Sequence, residues 1–171
     1  MNSLSCEAST LEWFALYVRT GKEHDVAGIL ERKGIESYLP VRRSQSPRGK
    51  RKEALFPSYC FCRVDLGDRS SMVITTPWVY GFVSTASRNV RIPDQEIEGI
   101  KRMQSQEQAI EVIHSRELCE GGRMVRICGG PFKGLRGRVV QRRGQDRFAL
   151  DVEAVQQSLV VEVERSLLAF E

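Results

Sequence analysis

Histidine is almost missing from this chain, with two residues, His24 and His114, in 171. They stand far apart in sequence, so a catalytic pair would exist only if the fold joined them, and surface histidines are the simpler expectation. Paired cysteines are also missing. Cys6, Cys60, Cys62, Cys119 and Cys128 make an odd count without a C-x-x-C spacing, which argues for reduced thiols and against structural zinc or any other metal site. No apolar run approaches the roughly 18 residues of a membrane span. The start, MNSLSCEAST, has neither the basic stretch nor the apolar core of a signal peptide, so a soluble cytoplasmic protein is expected. Charge of one sign is not in large excess either, at 26 Lys and Arg against 22 Asp and Glu, net +4. That is weak for a dedicated DNA binder. Walker, G-x-S-x-G and dinucleotide fingerprints are all absent, so neither an enzyme nor a cofactor is expected.

What the chain does have is order in its apolar residues. LEWFALYVR (11–19) predicts a strand, and Thr20 to Glu23 spells a Thr-x-x-Glu capping box for a helix running to about Lys33, with Gly34 as its stop. Further strands are expected over Ile35–Val41, Leu55–Val64 and Tyr80–Ser84, with helices over Asp68–Ile74 and from Asp94 to about Gln106. Beyond a polar stretch ending near Leu118, every apolar pattern has period two. Val125, Ile127, Val139, Leu150, Val152, Leu159, Val161 and Val163 are the expected inward residues of a small β-domain. The whole is α+β followed by all-β.

Two features stand out chemically. The first strand is apolar on both faces, with Phe14, Leu16 and Val18 on one and Trp13, Ala15 and Tyr17 on the other, and Tyr59 and Phe61 repeat this in the third. Either helices cover both faces or one face is adhesive. The segment 42–52 packs Arg42, Arg43, Arg48, Lys50, Arg51 and Lys52 among Ser, Pro and Gly, which predicts a basic, mobile loop or hairpin tip. Such a run is either plain solvated surface or a phosphate contact.

The segment GGRMVRICGGPFKGLRGRVVQRR (121–143) sets two short strands around a turn punctuated by Gly129, Gly130, Gly134 and Gly137. It resembles the KOW motif of small five-stranded SH3-like barrels in transcription elongation factors and ribosomal proteins. WFALYVRTGKE (13–23), YLP (38–40), LFPSYCFC (55–62), PWVYGFVST (77–85) and IPDQEI (92–97), in that order, resemble the NGN domain of the NusG family of bacterial transcription factors. The resemblance implies an NGN domain with an antiparallel sheet and flanking helices, then a KOW barrel. The expected division is a disordered tail 1–10, NGN 11–107, a linker 108–119 and KOW 120–171.

It also implies partners. NusG-like proteins bind the clamp helices of the RNA polymerase β′ subunit, and the matching patch here is Tyr17, Tyr59 and Phe61, with Phe56, Ile97 and Ile100 as neighbours. The contact to the polymerase β subunit maps to Arg69, Ser70 and Ser71. Non-template DNA maps to Arg19, Lys22 and the six cations of 42–52. Phe132 and Lys133, at the KOW turn, are the expected contact for partners such as Rho or the ribosome, with Phe132 either a barrel plug or an exposed anchor. The implied role is a monomeric, non-enzymatic factor acting on elongation, pausing and termination or antitermination. The basic segment and short first helix look more like specialised RfaH-type paralogues. A ribosome-associated KOW protein is the alternative.

Overall fold

The first apolar run extends as strand β1 (Glu12–Val18), and its alternation organises the N-terminal unit. In this computed structural model, residues 10–46, 49–106, 110–118, 122–142 and 144–171 are described, without the side chains of 44–46, 50, 51 and 142. Nearly all of the expected tail, together with Cys6, Arg48 and Cys119, falls outside the described residues. In chain order there follow α1 (Glu23–Arg32), β2 (Glu36–Tyr38), β3 (Val41–Ser46), β4 (Gly49–Ala54), β5 (Tyr59–Val64), α2 (Ser70–Ile74), β6 (Val79–Phe82), β7 (Ser84–Thr85), β8 (Arg88–Asn89), β9 (Arg91–Ile92) and α3 (Asp94–Gln104). The main sheet is antiparallel, in the order β2-β5-β1-β6, with β9 also pairing to β1.

Side chains alternate across this sheet. On one face Phe14, Leu16, Val18, Cys60, Cys62 and Val64 meet Val26 and Leu30 of α1 and Val73 of α2. On the other, Trp13, Ala15 and Phe61 meet Ile97, Ile100 and Met103 of α3. Both faces are therefore covered.

Several local expectations change. The capping box does not form, because α1 has Lys22 at its N-cap and no side-chain cap. Thr20 and Glu23 turn instead to Ser58, the hydroxyl at 2.6 Å and the carboxylate accepting the Ser58 N–H at 2.9 Å. The strand expected over 35–41 splits into β2 and β3, while the basic segment takes the second of its two expected forms, a hairpin, through the pairing of β3 with β4. The strand expected from Leu55 begins only at Tyr59, after a turn that puts Phe56 edge-on to Phe61, with ring centroids 5.9 Å apart.

The second unit is a six-stranded antiparallel sheet made of β10 (Glu111–His114), β11 (Met124–Ile127), β12 (Arg136–Arg142), β13 (Gln145–Val152), β14 (Gln157–Val161) and β15 (Leu168–Phe170), in the order β10-β14-β13-β12-β11-β15. Its first strand comes from the segment read as linker. Ile113 and Leu118 of that segment pack with Val140, Ala149 and Val160, a small outer core that the alternation did not reveal. Of the expected inward residues, Val139 and Val163 are only half-buried.

Nor does the barrel stand apart. Val125, Ile127, Phe132, Leu135, Phe148 and Leu150 lie in the same apolar cluster as Trp13, Phe61, Ile97 and Ile100. At the seam, Gly99 of α3 leaves room for Leu150, whose Cδ2 would lie 2.9 Å from an added Cβ. The Arg102 guanidinium donates to the carbonyls of Pro131 and Lys133, at 3.1 and 2.7 Å.

Inside the barrel, Gly137 is required by close approach, because a Cβ there would strike the Ala149 carbonyl and sit 2.6 Å from Phe148 Cζ. Gly137→Ala is expected to cost about 1–3 kcal/mol through overpacking. The check is urea denaturation of the full chain, and an unshifted midpoint would contradict this packing.

Candidate functional site

The end of the main sheet presents three tyrosines. Tyr17 pairs in register with Tyr59 on β5 and with Gly81 on β6, beside Tyr80. The Tyr17 ring lies 5.9 Å from Tyr59 and 5.4 Å from Tyr80. Tyr17 is 49% exposed, Tyr80 65%, and Tyr59 is half-buried. Exposed apolar rings in contact are the type of surface that anchors protein partners.

Two left-handed residues build this edge, Ser58 at φ 69° and Trp78 at φ 66°. Their carbonyls accept the N–H groups of Val18 and Arg19, each at 2.9 Å, which ties both turns to the end of β1. Non-glycine residues seldom hold positive φ unless their surroundings over-determine it. Lys22 lies over the Trp78 ring at 4.8 Å and pairs with Asp25 at 2.8 Å, while Arg19 is exposed.

Four expected patch residues lie elsewhere. Phe61 is fully buried beneath Tyr38, with ring centroids at 6.3 Å, and Phe56, Ile97 and Ile100 are equally enclosed in the shared core. They support the sheet and do not reach its surface in this arrangement. Tyr80 was missed as a member of the patch. Its available signal was weak: an aromatic opening the strand that pairs with the Tyr17 strand.

The base of the basic hairpin meets the C-terminal end of α3. Gln104 accepts from the Tyr38 hydroxyl at 2.6 Å and donates to the Val41 carbonyl at 2.8 Å, anchoring the hairpin base. Arg42 faces Glu53, with a 3.6 Å ion pair. Arg43 faces Lys52, and both are exposed. Like charges directly opposed across a ladder are unfavourable, so this pair favours an external anion. Arg48 lies outside the described residues, as do the side chains of Lys50 and Arg51.

The NusG family model, described as transcription termination factor NusG, matches residues 11–101, more than half of the chain. The chain belongs to the NusG family. The transcription termination/antitermination protein NusG of Thermus thermophilus is 27% identical over 152 residues, covering 77% of this chain and 83% of that protein. The protein of the same name from Vibrio vulnificus is 29% identical over 150 residues, covering 78% and 80%. A solved structure titled "Domain interaction in Thermotoga maritima NusG" shares the fold at a TM-score of 0.55 and 24% identity, covering 93% of this chain and 96% of that one.

Of the remaining expected sites in this NusG-family chain, Arg69 and Phe132 are tied into the fold. Arg69 donates to the carbonyls of Gly34 and Lys33, at 3.2 and 3.4 Å, and so satisfies the C-terminal end of α1. Ser70 is half-buried and Ser71 exposed at the start of α2. Phe132 is a plug in this arrangement, 3% exposed in the shared core, while Lys133 is exposed. No group of three or more His, Cys, Asp or Glu among the described residues is placed to hold a metal. Burial, followed by the charges of Glu23 and Glu31, pushes the Cys60 thiol up to about 12, and burial raises Cys62 as well, so neither is a nucleophile.

A groove of about 1250 Å³ follows the seam between α3 and the barrel, past Glu96, Arg102, Asp151 and Glu153. Asp151 is held by Arg138 at 2.7 and 2.8 Å and by the Ser158 hydroxyl at 2.6 Å. Burial raises the Glu96 carboxyl to about 7, and the neighbouring charges of Glu153 and Asp151 add to the shift. A raised acid is bound more tightly to its proton in the docked arrangement than with the barrel away. Docking is therefore expected to weaken as pH rises from the ordinary carboxylate range through about 7, and to change little beyond it. Small-angle scattering of the full chain across that range would read this, and Glu96→Gln should flatten the dependence.

Proposed function

We propose that this NusG-family transcription factor docks on RNA polymerase through the tyrosine patch of its NGN domain, with the β′ clamp helices as the partner surface, and modulates elongation, pausing and termination or antitermination there. The observation that carries this reading is the contact of three partly exposed rings, Tyr17, Tyr59 and Tyr80, at one sheet end. An apolar cluster of this kind fits a helical partner with apolar side chains. Phe56, Phe61, Ile97 and Ile100 act as the scaffold behind it.

The basic hairpin, with Arg19 and Lys22, faces non-template DNA in the same complex. The opposed Arg43 and Lys52 supply an unneutralised pair of cations for phosphate. Ser70 and Ser71 meet the polymerase β subunit. Lys133 and the barrel turn take up further partners such as Rho or the ribosome, and Phe132 joins them only when the barrel leaves α3. The factor is a cytoplasmic monomer that works by binding rather than by catalysis.

Tyr17→Ala or Tyr80→Ala is expected to weaken binding to core RNA polymerase by about 2 kcal/mol, as for an aromatic anchor, and to leave folding intact. Phe61→Ala should instead lower stability by about 3–5 kcal/mol, because it empties a core site. Titration against core polymerase, with thermal unfolding alongside, separates the two. Equal affinity in both tyrosine variants would remove the patch from the interface. Co-purification with ribosomes and not with polymerase would favour a ribosome-associated role.

Replacing Arg43 and Lys52 with Ala should flatten the salt dependence of elongation-complex binding by about one counterion for each phosphate that is no longer neutralised. An unchanged slope would make the hairpin a solvated surface.

A further inference from the structure

Glu23 is the one charged side chain among the described residues that is buried, 5% exposed, yet it pairs with no cation that the structure shows. Its Oε1 accepts the Ser58 N–H at 2.9 Å, from the first turn of α1 across to the turn before β5. The Ser58 hydroxyl meets that of Thr20 at 2.6 Å, and its carbonyl accepts the Val18 N–H at 2.9 Å. Every polar group of Ser58 is thus held, and the residue sits at φ 69°, a conformation that serine adopts rarely. The next residue is Tyr59, whose ring rests on Tyr17.

From this geometry we infer that Glu23 is a positioning residue for the tyrosine patch: its buried carboxylate holds Ser58 left-handed and so sets Tyr59 against Tyr17. A carboxylate is a stronger acceptor than a neutral group, and burial protects the bond from competing water. Without it the Ser58 N–H has no partner, and nothing on the α1 side keeps serine from returning to negative φ. The turn would then relax, and the Tyr59 ring would leave its place.

This inference rests on the polymerase reading for its functional consequence, though not for its structural one. The test is a cycle in the full chain with Glu23→Ala, Ser58→Gly and the double variant. Glycine holds positive φ unaided, so it should make the carboxylate dispensable, whereas a general packing role for Glu23 would not be rescued. Glu23→Ala is expected to lower affinity for core RNA polymerase about tenfold, the equivalent of one charge-assisted hydrogen bond. In the Ser58→Gly background the same change should cost no more than about twofold. NMR of the free protein gives a second measure: the contact between the Tyr17 and Tyr59 rings should vanish in Glu23→Ala and return in the double variant. Glu23→Asp, which keeps the charge but draws the oxygen back by one methylene, should show the same loss if the alanine variant does not fold. A ring contact that survives Glu23→Ala or Glu23→Asp, or that glycine fails to restore, overturns the inference. If the wild-type chain binds no polymerase, the polymerase reading falls, and the ring contact still decides the role of Glu23.

Discussion

A central strand with two apolar faces has to be covered twice, and the architecture follows from that need. Helices α1 and α2 cover the face of Phe14, Leu16 and Val18. Helix α3 covers the face of Trp13, Ala15 and Phe61, but α3 is itself small on a second side, at Gly99. The barrel supplies the last layer through Leu135 and Leu150. One apolar cluster therefore runs from the sheet through α3 into the barrel interior, and Tyr17 and Tyr80 at the sheet's end stay exposed outside it.

That arrangement explains what was legible in the sequence and what was not. The two-sided strands were plain in Trp13 to Val18, because period two needs only a few residues to declare itself. Which rings stay exposed was not, since Phe61 and Tyr59 share a face by alternation and are separated only by what lies above them. Phe61 is fully buried against Tyr38 and the α3 cluster, whereas Tyr59 is half-buried against the exposed Tyr17. The capping box failed for a similar reason. Its Thr and Glu were at the right spacing, but Ser58, 35 residues beyond Glu23, offered the carboxylate a buried donor, and sequence spacing cannot see across that distance. The polar stretch before the barrel read as linker because Ile113 and Leu118 are too far apart to show a period, and only packing with Val140, Ala149 and Val160 makes them core.

Polar groups along the α3–barrel seam are arranged unevenly. Arg102 donates to two backbone carbonyls and has no carboxylate partner in those bonds, while Glu96 faces Asp151 and Glu153. Asp151 is neutralised by Arg138, which lessens the repulsion without removing it. Apolar contact at Gly99 and the Arg102 clamp thus favour the docked barrel, and the carboxylates oppose it. The seam therefore combines a continuous apolar core and the Arg102 clamp with one unfavourable carboxylate cluster.

The strand β10 has a further effect, on reach. Because Glu111–His114 is stitched to β14, only seven residue steps separate Gln104, at the end of α3, from the first strand of the barrel. Fully drawn out, seven residue steps span roughly 25 Å. A barrel released from α3 would stay within about its own diameter of the seam. Its rebinding is then governed by a local concentration in the millimolar range, typical of short linkers, which no dilution of the protein can lower. Any molecule that held the barrel away from α3 would have to compete with that standing concentration, within reach of the N-terminal sheet.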